Sequence, residues 1–161
     1  MLTHPLLTIS NQVKCEALNA AITARKPHAV SRLLEHISGN VLIFATINND
    51  PQLVHTLLNN SLLTFSVKEK VRAFKLSAYL PELRMLGVFL ALIGNTITMH
   101  DKEIALVIAV KGNQPENVQL ILGQLGLVAL SPILKDRLLG WAVHIRGFYL
   151  DDKSLEIVKR I

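Results

Sequence analysis

The side chains that could carry chemistry in this chain are dispersed rather than clustered. Among its six histidines, His28 and His36 are eight residues apart with no acidic companion at ligand spacing, and no His-Glu-x-x-His motif occurs. Cys15 would need a general base and a polarising group to act as a nucleophile, and within a helix it is more simply explained as core or surface filler. We therefore expect no metal site.

The sequence also lacks a facing pair of carboxylates and a phosphate-binding loop. Asp151 and Asp152 are adjacent, so their side chains diverge instead of facing each other as an acid and a base. No Gly-x-Gly-x-x-Gly motif and no glycine-rich loop with a lysine occurs among the eight glycines. The sequence predicts that the protein is not an enzyme and uses no cofactor.

The composition favours a packed helical protein. Half of the residues are hydrophobic but only 5% are aromatic, so the core must be built from aliphatic side chains. The formal net charge is +5, and its densest basic group, Lys68, Lys70, Arg72 and Lys75, is interrupted by Glu69. Such a group is usually a solvated helix face, although an acidic partner, a nucleic acid or a membrane surface is an alternative.

The termini and the cysteine content suggest a compartment. The single cysteine cannot form an internal disulfide, and no basic region or cleavage site follows Met1. The longest charge-free stretch, residues 117–134, contains glutamines, glycines and a proline, so it is a poor membrane-spanning segment. We expect a cytoplasmic protein with no signal peptide and no membrane span.

The elements that would position any site repeat along the chain. Apolar residues recur at a fixed spacing whose frame advances by 32 residues from Leu42 to Phe74, by 32 to Leu106 and by 33 to Leu139. This period is typical of stacked helical hairpins, which share one continuous core. The residues in this frame are Leu18, Ala21, Pro27, Val30, Leu33 and Leu34; Leu42, Ala45, Pro51, Val54, Leu57 and Leu58; Phe74, Ser77, Leu83, Leu86, Phe89 and Leu90; Leu106, Ala109, Pro115, Val118, Ile121 and Leu122; Leu139 and Ala142.

Helix-start signals accompany four of the five repeats. Ser10, Ser66, Thr98 and Ser131 each lie eight residues before the first frame residue, and each is a good N-cap. Ser66 and Glu69 have the spacing of a capping box. The pattern predicts helices over 11–24, 27–37, 41–48, 51–59, 67–80, 82–93, 101–111, 115–123, 132–146 and 153–161, grouped in units 10–39, 40–65, 66–97, 98–130 and 131–161.

The last unit is stretched by an insertion over residues 144–152, and the chain stops at Ile161 inside a predicted helix without a polar capping helix. An apolar flank left open at the end of a stack is a site for association. We expect that the chain is a fragment of a longer protein, or that its C-terminal helix packs against something, including a second copy of the chain.

The repeated residues resemble those of the ankyrin repeat family. The first helix of that family carries Leu-x-x-Ala, as in Leu42 and Ala45, and the second carries Val-x-x-Leu-Leu, as in Val54, Leu57 and Leu58. The Thr-Pro-Leu-His and Gly-Ala-Asp signatures are absent, so the resemblance implies repeats with reduced or absent β-hairpins. The expected fold is a single all-α domain, an α-solenoid of about five stacked helical hairpins; a HEAT or tetratricopeptide type of hairpin is the alternative.

The resemblance implies a protein-interaction module that binds a protein partner through exposed turns and first-helix positions. A nucleic-acid or acidic-surface binder is a less favoured alternative, because no set of two or three base-reading side chains recurs at equivalent positions. A structural spacer within a larger protein is another. The partner-binding positions transferred from the family are Asn49, Asp50, Lys70, Ala73, Glu82, Lys102, Ala105, Asn113 and Gln114.

Overall fold

The computed structural model describes residues 10–36, 41–61, 63–125 and 130–144. These ranges contain nine α-helices and no strand, which confirms the all-α class. Every predicted helix within them is found, with each end within two residues of the prediction. The predicted tenth helix, 153–161, lies outside the described residues. The helices are α1 Asn11–Thr23, α2 Pro27–His36, α3 Val41–Ile47, α4 Pro51–Asn59, α5 Val67–Tyr79, α6 Leu83–Ile93, α7 Met99–Lys111, α8 Pro115–Leu125 and α9 Pro132–His144.

The helices pack as a row of hairpins in two layers. Within units 1 to 4, the first helix contacts the second: α1 with α2, α3 with α4, α5 with α6 and α7 with α8. Between units, α3, α5, α7 and α9 contact one another in sequence, as do α4, α6 and α8. The first unit departs from this order, because α1 also contacts α4. Each hairpin therefore buries its apolar faces against its neighbours in the row.

Most frame residues form the core of this row, whereas Pro27 and Leu83, at the proline position of the frame, are exposed. Leu18, Leu42, Phe74 and Leu106 begin the frame in four units, and all four are fully buried. The second helices follow the same rule, since Val30, Val54, Leu86 and Val118 are buried at one equivalent position. Because an interior at crystal-like density has no room for extra volume, these residues fix how closely successive units stack.

Each predicted N-cap makes the expected hydrogen bond. The Val13 N–H donates to Ser10 Oγ at 3.4 Å, the Asp101 N–H to Thr98 Oγ1 at 3.1 Å and the Leu134 N–H to Ser131 Oγ at 3.3 Å.

Ser66 and Glu69 form the complete capping box. The Glu69 N–H donates to Ser66 Oγ at 3.2 Å, while the Ser66 N–H donates to Glu69 Oε2 at 2.8 Å. These bonds satisfy backbone N–H groups that have no partner inside the helix, so they fix where the first helices begin.

The described connections between units contain no β-hairpin. Residues 94–98 link α6 to α7 by turns, and the described residues between α4 and α5 are not paired as strands. None of the helices in the described ranges combines the length and the apolar character needed to cross a bilayer.

Candidate functional site

The predicted partner-binding residues fall into two groups at opposite ends of the helices. Asn49, Asp50, Glu82, Asn113 and Gln114 lie at the turns within units 2, 3 and 4. We call the residues that join paired helices, 24–26, 48–50, 80–82 and 112–114, the turn edge. Lys70 and Lys102 instead lie in the first turns of α5 and α7. We call the N-caps of the first helices and the turn after each cap the start edge. About 15 Å of helix separates the two edges, because ten residues rise about 1.5 Å each.

Three of the four turns share one backbone conformation. Arg25, Asn49 and Asn113 have positive φ values of 51°, 53° and 53°. Each donates its N–H to the carbonyl three residues earlier: Arg25 to Ile22, Asn49 to Thr46 and Asn113 to Val110, at 2.9 to 3.1 Å. The next residue, Lys26, Asp50 or Gln114, donates to the carbonyl five residues earlier. This is a left-handed helix cap, in which Asn is well tolerated.

The turn of unit 3 is built differently. Pro81 stands at the repeat position of Asn49 and Asn113, but its ring excludes positive φ and it has no N–H, so the bond that those two residues make is missing. Asn117, from α8 of the next unit, takes its place: its Nδ2 donates to the Ala78 carbonyl at 3.2 Å and to the Leu80 carbonyl at 2.7 Å. Ala78 is the residue equivalent to Thr46 and Val110. A side chain of one unit thus completes the turn of another.

The polar side chains of the turn edge differ in how much the fold uses them. Asp50 caps α4, since its Oδ1 accepts from the Leu53 N–H at 2.9 Å. Gln114 donates from Nε2 to the Gly112 carbonyl at 3.0 Å. Glu82 occupies the N-cap of α6 without making a cap hydrogen bond, and its contact with Arg84 is a loose 3.9 Å. An exposed pair at that distance contributes little to stability, so the Glu82 carboxylate remains available to a partner.

Two depressions open along the turn edge. One, of about 460 Å³, lies beside the turn of unit 2 and is lined by residues that include Cys15, Glu16 and Asp50. The other, of about 220 Å³, lies between the turns of units 3 and 4 and is lined by Pro81, Gln114, Pro115, Glu116 and Asn117. Polar groups on a rim around shallow depressions are typical of surfaces that dock another macromolecule.

Cys15 lines the larger depression but is poorly suited to nucleophilic chemistry. The side chain is 3% exposed. Burial, and then the negative charges of Asp50 and Glu16, raise the pKa of the Cys15 thiol above its ordinary value. Since the thiolate is the reactive form, this environment keeps the sulfur in its unreactive state.

An apolar groove lies in the second-helix layer, where α4 meets α6. Its volume is about 590 Å³. It is lined by Pro51, Gln52, His55, Arg84, Gly87, Val88, Ala91 and Leu92. Gly87 lies on its surface in the middle of α6, and a Cβ added there would meet no atom within 4 Å. None of the positions transferred from the family lies in this groove.

The first-helix part of the prediction needs correction. Ala73 and Ala105 are fully buried, and Lys102 is only 9% exposed, so the expectation that these three lie on an open surface is wrong. The reason is that α5 and α7 begin well before their first frame residues and are packed on both sides by neighbouring first helices. Lys70, in contrast, is half-buried.

Two features of the structure were missed in the sequence. Asn117 occupies the repeat position where Leu53 and Met85 are fully buried, so a polar residue at an apolar position was the available signal. A lysine also recurs four residues before the first frame residue in four units, as Lys14, Lys70, Lys102 and Lys135. A single lysine per unit is not a base-reading set, which needs two or three side chains in each repeat, so the recurrence stands apart from that pattern.

In the described part of the chain, no group of three or more histidine, cysteine, aspartate or glutamate side chains is arranged to hold a metal ion. Comparison of the chain with family models, with curated proteins and with solved structures gives no match.

Proposed function

We propose that this chain is a protein-interaction module built from divergent, ankyrin-like helical repeats. The buried frame supports this proposal, because the residues that recur every 32 or 33 positions are those that hold the units together. Stacks of this kind present a continuous edge made of equivalent residues from successive units, which suits an extended contact with another protein.

The observation that carries the proposal is the turn edge of units 2 to 4. Equivalent turns place Asp50, Glu82 and Gln114 in a row beside two depressions, and the Glu82 side chain is not used to cap its own helix. Polar side chains that are ordered by a rigid turn lose little conformational entropy on binding, which favours affinity. The protein would bind its partner through this row, without catalysis.

The experiment uses a turn variant that keeps the backbone intact. Asn49→Gly and Asn113→Gly retain a residue that accepts positive φ. Glu82→Ala and Gln114→Ala remove two polar side chains that do not cap a helix. Asp50 is left unchanged because it caps α4. A partner captured by the wild-type chain is purified and titrated against both proteins by calorimetry, and we expect at least tenfold weaker binding by the turn variant.

A matched control removes similar side chains from exposed sites elsewhere: Glu35→Ala on α2, Asn95→Gly before α7 and Gln124→Ala on α8. We expect it to bind as the wild type does. A partner that binds the turn variant and the control with the affinity of the wild type would show that recognition lies away from the turn edge.

A further inference from the structure

The recurring lysine forms a column across three consecutive units. Lys70 lies on α5, Lys102 on α7 and Lys135 on α9, each four residues before a frame residue. Because α5 contacts α7 and α7 contacts α9, the three side chains start from adjacent helices at the same repeat position. Lys14 has this position in unit 1, but unit 2 has Ser38 there, so Lys14 is separated from the others. We call Lys70, Lys102 and Lys135 the lysine column.

The stems of the lysine column are partly buried, and its ammonium groups have no countercharge among the described residues. Lys102 is 9% exposed, and Lys70 and Lys135 are half-buried. Among the described residues, no ion pair or hydrogen bond involves their ammonium groups. An ammonium group that has no countercharge within the protein is free to form an ionic contact with a partner, so an anion supplied from outside would be stabilised there.

The carboxylates nearest in sequence to the column are already engaged. Asp101 binds the Lys75 ammonium at 2.7 Å and accepts from the Thr98 hydroxyl at 2.6 Å. Glu69 closes the capping box with Ser66.

The remaining acidic neighbours point elsewhere. Glu103 and Asp136 follow Lys102 and Lys135 by one residue, and successive residues on a helix do not share a face. The start edge of units 3 to 5 therefore keeps a positive column that its own acids do not neutralise.

The spacing of the lysine column indicates the geometry of the anion. Packed helices lie about 8–10 Å apart, so successive lysines are separated by about that distance. A peptide in the polyproline II conformation has three residues per turn and rises about 3.1 Å per residue, so every third side chain lies on the same side and is about 9 Å further along.

We propose that the lysine column binds an acidic peptide segment in the polyproline II conformation whose carboxylates recur at every third residue, each meeting one lysine. This binding surface lies at the opposite edge from the proposed turn-edge site and does not depend on it.

A protein segment fits this surface better than a nucleic acid strand does. Single strands are generally held by aromatic side chains that stack on their bases. Tyr79 is the exposed aromatic residue among the described residues, and it lies at the other end of α5 from Lys70. The start edge supplies charge at a regular spacing without such a stacking platform.

The test compares two synthetic peptides of equal composition, measured with the full chain by fluorescence anisotropy. One carries four glutamates at every third position, and the other carries the same four glutamates contiguously. We expect the spaced peptide to bind at least fivefold more tightly, and its affinity to fall as salt is raised because the contacts are ionic.

The column variant combines Lys70→Gln, Lys102→Met and Lys135→Gln. Its binding of the spaced peptide should fall at least tenfold, and Met at position 102 preserves the buried stem.

The control variant removes the same charge from unit 1: Lys14→Gln, Lys26→Gln and Arg32→Gln. It should bind the spaced peptide within twofold of the wild type. If Lys102→Met lowers the thermal stability, the double variant Lys70→Gln, Lys135→Gln replaces it and should still lose at least threefold.

Three outcomes would overturn the proposal: equal affinity for the two peptides, equal loss in the column and control variants, or tighter binding of a single-stranded oligonucleotide that the column variant abolishes. The last result would make the surface a nucleic-acid site.

Discussion

The turn edge and the start edge hold the same helices by different chemistry. At the turn edge, backbone N–H groups and the neutral amide of Asn117 satisfy the last carbonyls of the first helices. At the start edge, hydroxyls and carboxylates satisfy the first N–H groups, and a lysine and an aspartate of neighbouring units form an ion pair. The start edge therefore carries Glu69 and Asp101, two carboxylates whose pKa values are lowered by hydrogen bonds.

The four turns of the turn edge also differ from one another. Units 1, 2 and 4 close the turn within the unit, through a left-handed residue, whereas unit 3 depends on Asn117 of unit 4. A local turn can form before units stack, but the turn of unit 3 is complete only when α8 is in place. Units 3 and 4 are thus held together by a polar contact in addition to core packing.

The largest expected effect is that of Asn117→Leu. Two carbonyls, of Ala78 and Leu80, lose their donor at a site where Asn117 is 2% exposed, and this should cost about 1–3 kcal/mol of unfolding free energy. Denaturant unfolding at neutral pH measures it. Met85→Leu at the equivalent position of unit 3 preserves apolar volume and should cost less than about 1.5 kcal/mol.

A double variant sharpens that result. Pro81→Asn restores the N–H that the other turns use, so Asn117→Leu should cost less in its presence, with a coupling of about 0.5 kcal/mol or more. Strict additivity of the two substitutions would contradict the view that Asn117 substitutes for the missing N–H.

A smaller effect is expected at the left-handed residues. Asn113 has φ of 53°, a conformation that costs an ordinary L-residue about 1–2 kcal/mol and costs glycine little. Asn113→Ala should therefore lower the free energy of unfolding by about 1 kcal/mol, and Asn113→Gly should leave it within about 0.5 kcal/mol. Equal thermal stability of the two variants would mean that the turn does not depend on the backbone conformation of this residue.

The smallest expected effect is a change in how the free energy of unfolding depends on pH. Hydrogen bonds from Lys75 and Thr98 lower the pKa of Asp101, and hydrogen bonds from Ser66 lower the pKa of Glu69. A lowered pKa in the folded state contributes stability that is present above the ordinary value of about 4 and is lost as the pH falls through the folded value. Unfolding free energy should therefore fall below about pH 4.

Asp101→Asn should reduce the slope of this acid loss in denaturant titrations between about pH 5 and pH 2, because one of the two carboxylates whose pKa is lowered by hydrogen bonds is gone. Asn113→Gly, at the turn edge, should keep the wild-type slope. A change of slope in the turn variant, with none in Asp101→Asn, would reverse the assignment of titrating groups to the edges.

Much of the fold could be predicted from local patterns. Ser10, Ser66, Thr98 and Ser131 specify helix starts through bonds to residues three positions away, and the frame residues specify the core through a period that hairpin stacking imposes. The turns followed from Asn49 and Asn113, because few residues tolerate positive φ. The caps and turns can be read from the sequence because each involves residues a few positions apart, and the frame can be read because its spacing repeats.

The candidate sites were less predictable. Asp50 was assigned to a partner, and the structure uses its side chain to cap α4. The burial of Lys102 and the role of Asn117 depend on contacts between units, which no single repeat contains.

The sequence by itself determined the helices, their caps and the repeat frame, because capping follows from residues a few positions apart and the frame follows from the repetition of apolar residues. Only the tertiary structure decided which equivalent residues remain exposed, how the turn of unit 3 finds its missing donor and that Lys70, Lys102 and Lys135 lie on adjacent helices. The physical reason is that burial and electrostatic environment are set by neighbours more than 30 residues away along the chain, which become neighbours only when the units stack.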